Sequence, residues 1–117
     1  MKTPFVKMHG NGNDFVIIDN IKQNFKKDKT LIKKITNRKI GIGCDQLILI
    51  EQSDEYDAFM RIYNNDGSEA EMCGNAARCV ASLLMAGTKK TEISIETNSA
   101  LLNASLEKNN EISLKMA

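Results

Sequence analysis

An α+β fold, in which a curved sheet wraps one buried helix, is what this sequence predicts, and two observations carry the prediction. Most of the chain falls into short apolar or alternating runs of strand type, separated by Gly/Asn turn signals. One longer run differs: between Ala76 and Ala86 only Arg78 and Ser82 are polar, and they sit four residues apart on one narrow stripe. A helix that is apolar nearly all round is a buried helix. Its alanines would let strands approach closely, with its N-terminus reaching the surface at Cys73.

The elements follow in order. Pro4 to Met8 and Asp14 to Asp19 flank the segment His9-Gly10-Asn11-Gly12-Asn13, so a strand–turn–strand unit opens the fold. Thr30 to Arg38 carries Leu31, Ile32 and Ile35 at helical spacing, with Thr30 or Asp28 as cap and Gly41 beyond its end. Gln46 to Glu51 and Ala58 to Tyr63 are rich in β-branched or aromatic residues, as strands are. A helix from Asn75 to Ala86 has Gly87 at a natural C-cap position. Thr91 to Thr97 alternates as a half-buried strand does. Leu101 to Glu107 and Ile112 to Met116 form a hairpin joined through Lys108-Asn109-Asn110-Glu111.

Composition bounds the function. The 117 residues fit one domain, and a chain of this length buries roughly two-thirds of the surface its unfolded form exposes, so no staples are required. A formal net charge of +1 speaks against broad electrostatic binding to nucleic acid. No apolar run approaches the roughly 18 residues of a membrane span, and the N-terminus lacks a signal-peptide profile, so a cytoplasmic protein is expected. The three cysteines match no disulfide framework. Five residues separate Cys73 from Cys79, and His9 is the only histidine, so no metal site is expected and the thiols should be reduced.

The stretch from Asn64 to Cys79 holds the chemistry. It places Cys73 where a glycine-punctuated loop turns into the apolar helix. A helix start offers unpaired N–H groups and a partial positive charge, which favour a thiolate and an anion such as a carboxylate. Base and anion site then lie within a few residues of each other. That is what an enzyme needs to remove a proton from the carbon beside a carboxylate.

His9-Gly-Asn-Gly-Asn-Asp-Phe15, Gly41-Ile-Gly-Cys-Asp-Gln46, Asn64-x-Asp66-Gly-Ser-Glu69 and Cys73-Gly-Asn75 together resemble the diaminopimelate epimerases, in that family's order and spacing. The resemblance runs from about Phe5 to the end of the chain. It implies a barrel-like mixed sheet around a central helix, here the first of two similar domains, with the active site between them. It further implies no pyridoxal phosphate or other cofactor, no metal, and diaminopimelate as the small-molecule substrate. Carried over by position, Cys73 is the first domain's acid/base. Gly74 and Asn75 bind the carboxylate at the reacting end, Asn64 contacts the distal amino-acid end, and Asn13 and Gln46 line the pocket. The second catalytic cysteine would belong to a C-terminal domain that these residues do not include, so the chain alone should be nearly inactive. A homodimer with two facing Cys73 helices is a conceivable substitute.

Other positions read as scaffold. Asn11, where the family often has Leu or Ala, receives no role, and Ala76 replaces a commoner glycine with a methyl that could crowd the helix. Cys44 and Cys79 read as structural thiols, His9 as a turn residue, and Asp14 and Glu69 as hydrogen-bonding scaffold. Asp66-Gly67-Ser68 lacks the later ligands of a calcium loop. The lysines from Lys22 to Lys34 have no aromatic stacking platform beside them and read as a solvated face. Two rivals remain: another racemase or isomerase of the same superfamily, and a non-catalytic half-domain that binds amino acids or a partner. Proline racemases typically carry histidine at the position of Asn75, so the amide favours diaminopimelate.

Overall fold

The Gly/Asn cluster near the N-terminus closes a hairpin whose loop is only two residues long. In the computed structural model, which describes residues 3–71 and 73–116, β1 (Val6–Gly10) pairs antiparallel with β2 (Asn13–Asp19), Gly10 opposite Asn13. Asn11 and Gly12 have φ of 51° and 88°, the double positive-φ signature of a type I′ turn that Asn-Gly satisfies best. Because the turn is so tight, His9 and Gly10 lie inside the ladder. The first strand therefore sits two residues later than the apolar run suggests.

The first helix, α1 (Lys29–Thr36), is capped by Asp28, whose carboxylate accepts from the Thr30 N–H at 3.2 Å. It ends two residues before the expected Arg38. Gly43 and Cys44 fold back, and their N–H groups donate to the carbonyls of Ile35 and Thr36 at 3.0 and 3.2 Å. Ile32 and Thr36 are its buried residues; Leu31 is exposed.

Next come β3 (Gln46–Glu51), β4 (Ala58–Asn64), β5 (Glu69–Ala70), α2 (Gly74–Thr88), β6 (Glu92–Glu96), β7 (Leu101–Leu106) and β8 (Ile112–Met116). The two-residue β5 has no sequence signal of its own and exists because the Asn64–Ser68 turn folds it back on β4. Strand order is β1-β2-β3-β4-β6-β7-β8, with β5 beside β4. The β2/β3 and β4/β6 pairs are parallel, with α1 and α2 in the respective connections, while the remaining pairs are antiparallel. The sheet is mixed.

Both edge strands, β1 and β8, touch α2, as do β2 and β6. Only a sheet curled around the helix can do this. Alternation sorts each strand's side chains between two cores. Phe15, Ile17, Ile48, Ile50, Met60 and Ile62 face inward against Ala76, Ala77, Val80 and Ala81 of α2. Val16, Ile18, Leu47 and Leu49 face outward, where Ile32 of α1 and Cys44 cover them. Arg78 and Ser82 remain exposed, the narrow stripe that the sequence marked.

One expectation is corrected. Gly87 does not end α2; it lies within the helix, and Lys89 makes the left-handed C-cap at φ 61°, its N–H donating to the Met85 carbonyl at 2.8 Å. Among the described residues no helix is long and apolar enough to cross a membrane.

Candidate functional site

Period-two alternation places three of the singled-out side chains together. On β2 the inward residues are Phe15 and Ile17, so Asn13 continues that face; on β3 Gln46 continues the face of Ile48 and Ile50; on β4 Asn64 continues the face of Met60 and Ile62. Register aligns them, because Phe15 pairs with Gln46 and Gln46 with Asn64. The inner face therefore ends in three carboxamides directly above its apolar core. All three are half-buried.

The start of α2 opens at the same end. The tip of β1 rests on its first turn, since a Cβ on Gly10 would lie 3.9 Å from the Asn75 carbonyl and 3.7 Å from Cys79 Sγ. Cys73 is the N-cap residue, half-buried and packed on the inner core, with extended backbone (φ −144°, ψ 113°). Its side chain does not cap the helix, so the amides of the first turn lack the side-chain acceptor that Ser or Asp would supply. The Cys73 carbonyl accepts from the Ala77 N–H at 3.0 Å.

Two carboxamide pairs flank this opening. Gln46 Nε2 donates to Asn64 Oδ1 at 3.0 Å, and Asn64 Nδ2 donates to Ser68 Oγ at 3.2 Å. The turn behind them is tight. Asn64 and Ser68 are joined through backbone, the Asp66 carboxylate accepts from the Ser68 N–H, and Gly67 sits at φ 86° against Lys29. Gln46 Oε1 is buried and, among the described residues, has no partner. A buried acceptor left open marks a place for a donor. On the other flank, Asn11 Nδ2 donates to Asn75 Oδ1 at 3.2 Å. Asn13, on the strand between, makes no side-chain hydrogen bond among the described residues.

The carboxamides of this set are uncharged. Arg78 brings a guanidinium to the helix start, its Nη1 3.8 Å from where a Cβ on Gly74 would stand, and a further charge cluster lies behind the sheet. Asp14 and Asp45 alternate onto the outer face, where Arg38 grips Asp14 through two bonds of 2.9 and 2.8 Å and Asp45 through one of 3.1 Å. Lys7 adds a contact to Asp14 at 3.0 Å. The Arg38 guanidinium holds the Asp14 carboxyl well below the usual carboxylate range, against the opposing effect of burial. The two aspartates also exchange backbone bonds: the Asp45 N–H donates to Asp14 Oδ1 at 2.8 Å and the Asp14 N–H to Asp45 Oδ2 at 3.1 Å. Their chain neighbours are Asn13 and Gln46. The Gly41–Gln46 motif is thus a brace that fixes where two pocket carboxamides begin.

Cys44 and Cys79 are buried thiols, and burial pushes both above the usual thiol range. They pack in the two cores, in keeping with their reading as structural thiols. His9 is exposed on β1. Ser68 and Asn11 are the contacts that sequence reasoning did not assign. The first was signalled by the Asp-Gly-Ser turn; the second joins residues 64 positions apart and had no local signal.

The family model for diaminopimelate epimerase matches residues 5–117. The chain belongs to the diaminopimelate epimerase family. Curated diaminopimelate epimerases from Acidiphilium cryptum and Carboxydothermus hydrogenoformans are 49% and 46% identical over 89% and 96% of the chain. The chain spans about two-fifths of their length, 38% and 43%. Among solved structures, methylitaconate-delta-isomerase aligns over 96% of the chain with a TM-score of 0.74 at 18% identity, covering 62% of that protein. A hydroxyproline epimerase from Agrobacterium vitis aligns over 97% with a TM-score of 0.71 at 16% identity, covering 41% of that protein. These structures share the fold, a diaminopimelate epimerase-like half-barrel.

Proposed function

We propose that this chain is the first catalytic half of a cytoplasmic, cofactor-independent diaminopimelate epimerase, and that Cys73 is its acid/base. The observation that carries the proposal is the uncapped helix start bearing Cys73, set at the end of a sheet face finished by Asn13, Gln46 and Asn64.

Inverting an α-carbon requires removing its proton on one face and returning one on the other. In the proposed reaction the Cys73 thiolate takes the α-proton of one stereoisomer. The electron pair left on carbon delocalises into the adjacent carboxylate, whose oxygens accept from the amides of Gly74 and Asn75. A second thiol, from the part of the relatives' length beyond this chain, delivers its proton to the opposite face. The two sulfurs exchange roles with each turnover. Gln46 Oε1, the open acceptor, suits an ammonium N–H of the substrate, and Asn64, braced by Ser68, suits the distal end. The uncharged carboxamides hold both ends of a zwitterion through hydrogen bonds.

Proton exchange tests this. In D₂O with LL-diaminopimelate, an epimerase containing this chain should label the α-carbon and form the meso isomer. Cys73→Ser should lower both by about 10³-fold, the scale of losing a positioned acid/base group. The isolated 117 residues should give no net inversion. A serine variant that keeps a tenth of the activity, or robust inversion by the isolated chain, would refute the proposal.

A further inference from the structure

Among the described residues the β1/β2 turn reaches the first turn of α2 through one side-chain bond, and that bond determines which end of Asn75 is free. Asn75 carries one acceptor, Oδ1, and one donor group, Nδ2. Asn11 Nδ2 donates to Oδ1 at 3.2 Å. With Oδ1 engaged, the hydrogen-bonding end left to Asn75 is its NH₂ donor, the end an anion requires. We propose that Asn11 is a positioning residue that fixes the Asn75 carboxamide with its donor turned toward a substrate carboxylate. This inference rests on the reading of Gly74 and Asn75 as the carboxylate site.

The turn alone does not explain asparagine here. At φ 51°, position 11 suits Gly or Asp about as well as Asn. Neither glycine nor aspartate supplies a donor to Oδ1. The turn tip is also held against α2 independently, by the approach of Gly10 to the Asn75 carbonyl and Cys79 Sγ. A bond spanning 64 residues between two docked elements is therefore surplus to the turn and acts on Asn75. Without it the carboxamide can rotate by half a turn and set an oxygen lone pair against the incoming carboxylate. An aspartate at position 11 would impose that reversal, because its carboxylate accepts from Asn75 Nδ2.

The experiment is a double-mutant cycle in the epimerase containing this chain, with LL-diaminopimelate as substrate. Asn11→Gly keeps the turn and should raise KM about 3- to 10-fold, with a smaller change in kcat and an unchanged melting temperature. Asn11→Asp should raise KM further. In an Asn75→Ala background, Asn11→Gly should have no added effect, which a purely structural turn residue would not show. An unchanged KM in Asn11→Gly, or an equal effect with and without Asn75, overturns the proposal. An unchanged KM in Asn75→Ala likewise overturns the proposal, because that variant keeps the backbone amides. The underlying carboxylate reading fails instead if Gly74→Pro, which removes one of those amides at a helix position that accepts proline, leaves KM unchanged.

Discussion

Ala76 and Gly41 show how single atoms decide whether the site end of the fold is built. Ala76 stands at the third position of α2 and is 0% exposed, its methyl wholly inside the inner core. The crowding that this methyl suggests in sequence does not occur, because the curled sheet closes on it as packing. Ala76→Gly should therefore destabilise, by about 1 kcal/mol for the helix backbone and about 0.8 kcal/mol for the lost methyl. A lowered denaturant midpoint with an unchanged slope is the expected result. Gly41 is the opposite case: an added Cβ would lie 1.9 Å from the Lys34 carbonyl oxygen and 2.7 Å from that of Ile35. Both obstacles are backbone, so Gly41→Ala should cost about 3 kcal/mol and loosen the brace ahead of Gln46. A Gly41→Ala protein as stable as the parent would show that this loop is not a brace. Site identity was legible at this scale, since Asn13, Gln46 and Asn64 stand in recognisable motifs. The partners were not: nothing in the neighbourhood of Asn11 points to Asn75, and nothing near Asp14 points to Arg38.

Elements were legible wherever one physical signal dominated. A short β-branched apolar run between Gln46 and Glu51 gave β3 its bounds, and the all-round apolar run gave α2 its buried place. Ends were harder, because long-range contacts settle them. α1 stops at Thr36 since its last carbonyls are taken by Gly43 and Cys44, and β5 exists only through the turn that returns it to β4. The C-terminus of α2 runs past its glycine, and that misplacement has energetic consequences. Gly87 lies inside the helix with nothing within 4 Å of the point where a Cβ would stand, while Lys89 holds a left-handed conformation at φ 61°. Gly87→Ala should stabilise by about 0.5–1 kcal/mol. Lys89→Gly should add about 1 kcal/mol by relieving the left-handed strain. The sites are two residues apart, so the combined gain is best read from the double variant directly. A loss of stability in Gly87→Ala would place the helix end at Gly87 after all.

At the scale of the whole molecule, ion pairs join segments that the two cores alone leave loosely connected, and they make stability depend on acid. Arg38 holds the Asp14 carboxyl low and ties the loop after α1 to β2. Burial pushes Glu51 up, but Lys27 and Arg61 outweigh it and leave its carboxyl below the usual range, joining the approach to α1 with β3 and β4. Lys90 and the Ser94 N–H keep Asp57 low and fasten the segment after α2 to the start of β4. Each of these carboxylates takes up a proton more readily unfolded than folded. The unfolded chain therefore binds more protons as pH falls, and the pairs' contribution declines in that direction. It is fully present above about pH 5 and is lost progressively below about pH 4, where free carboxylates titrate. The melting temperature should stay level from pH 7 to about pH 5 and fall steeply toward pH 3. Asp14→Asn should lower it by several degrees at pH 7 and make the acid limb shallower, since the variant has one less depressed carboxylate to protonate. The inner carboxamides carry no charge, so the same titration should leave the Gln46–Asn64 and Asn11–Asn75 bonds in place until the fold itself is lost. Side-chain amide signals followed by NMR down the pH series test that separation. Their disappearance well before the melting transition would show that the ionic brace behind the sheet and the carboxamides in front of it act as one unit.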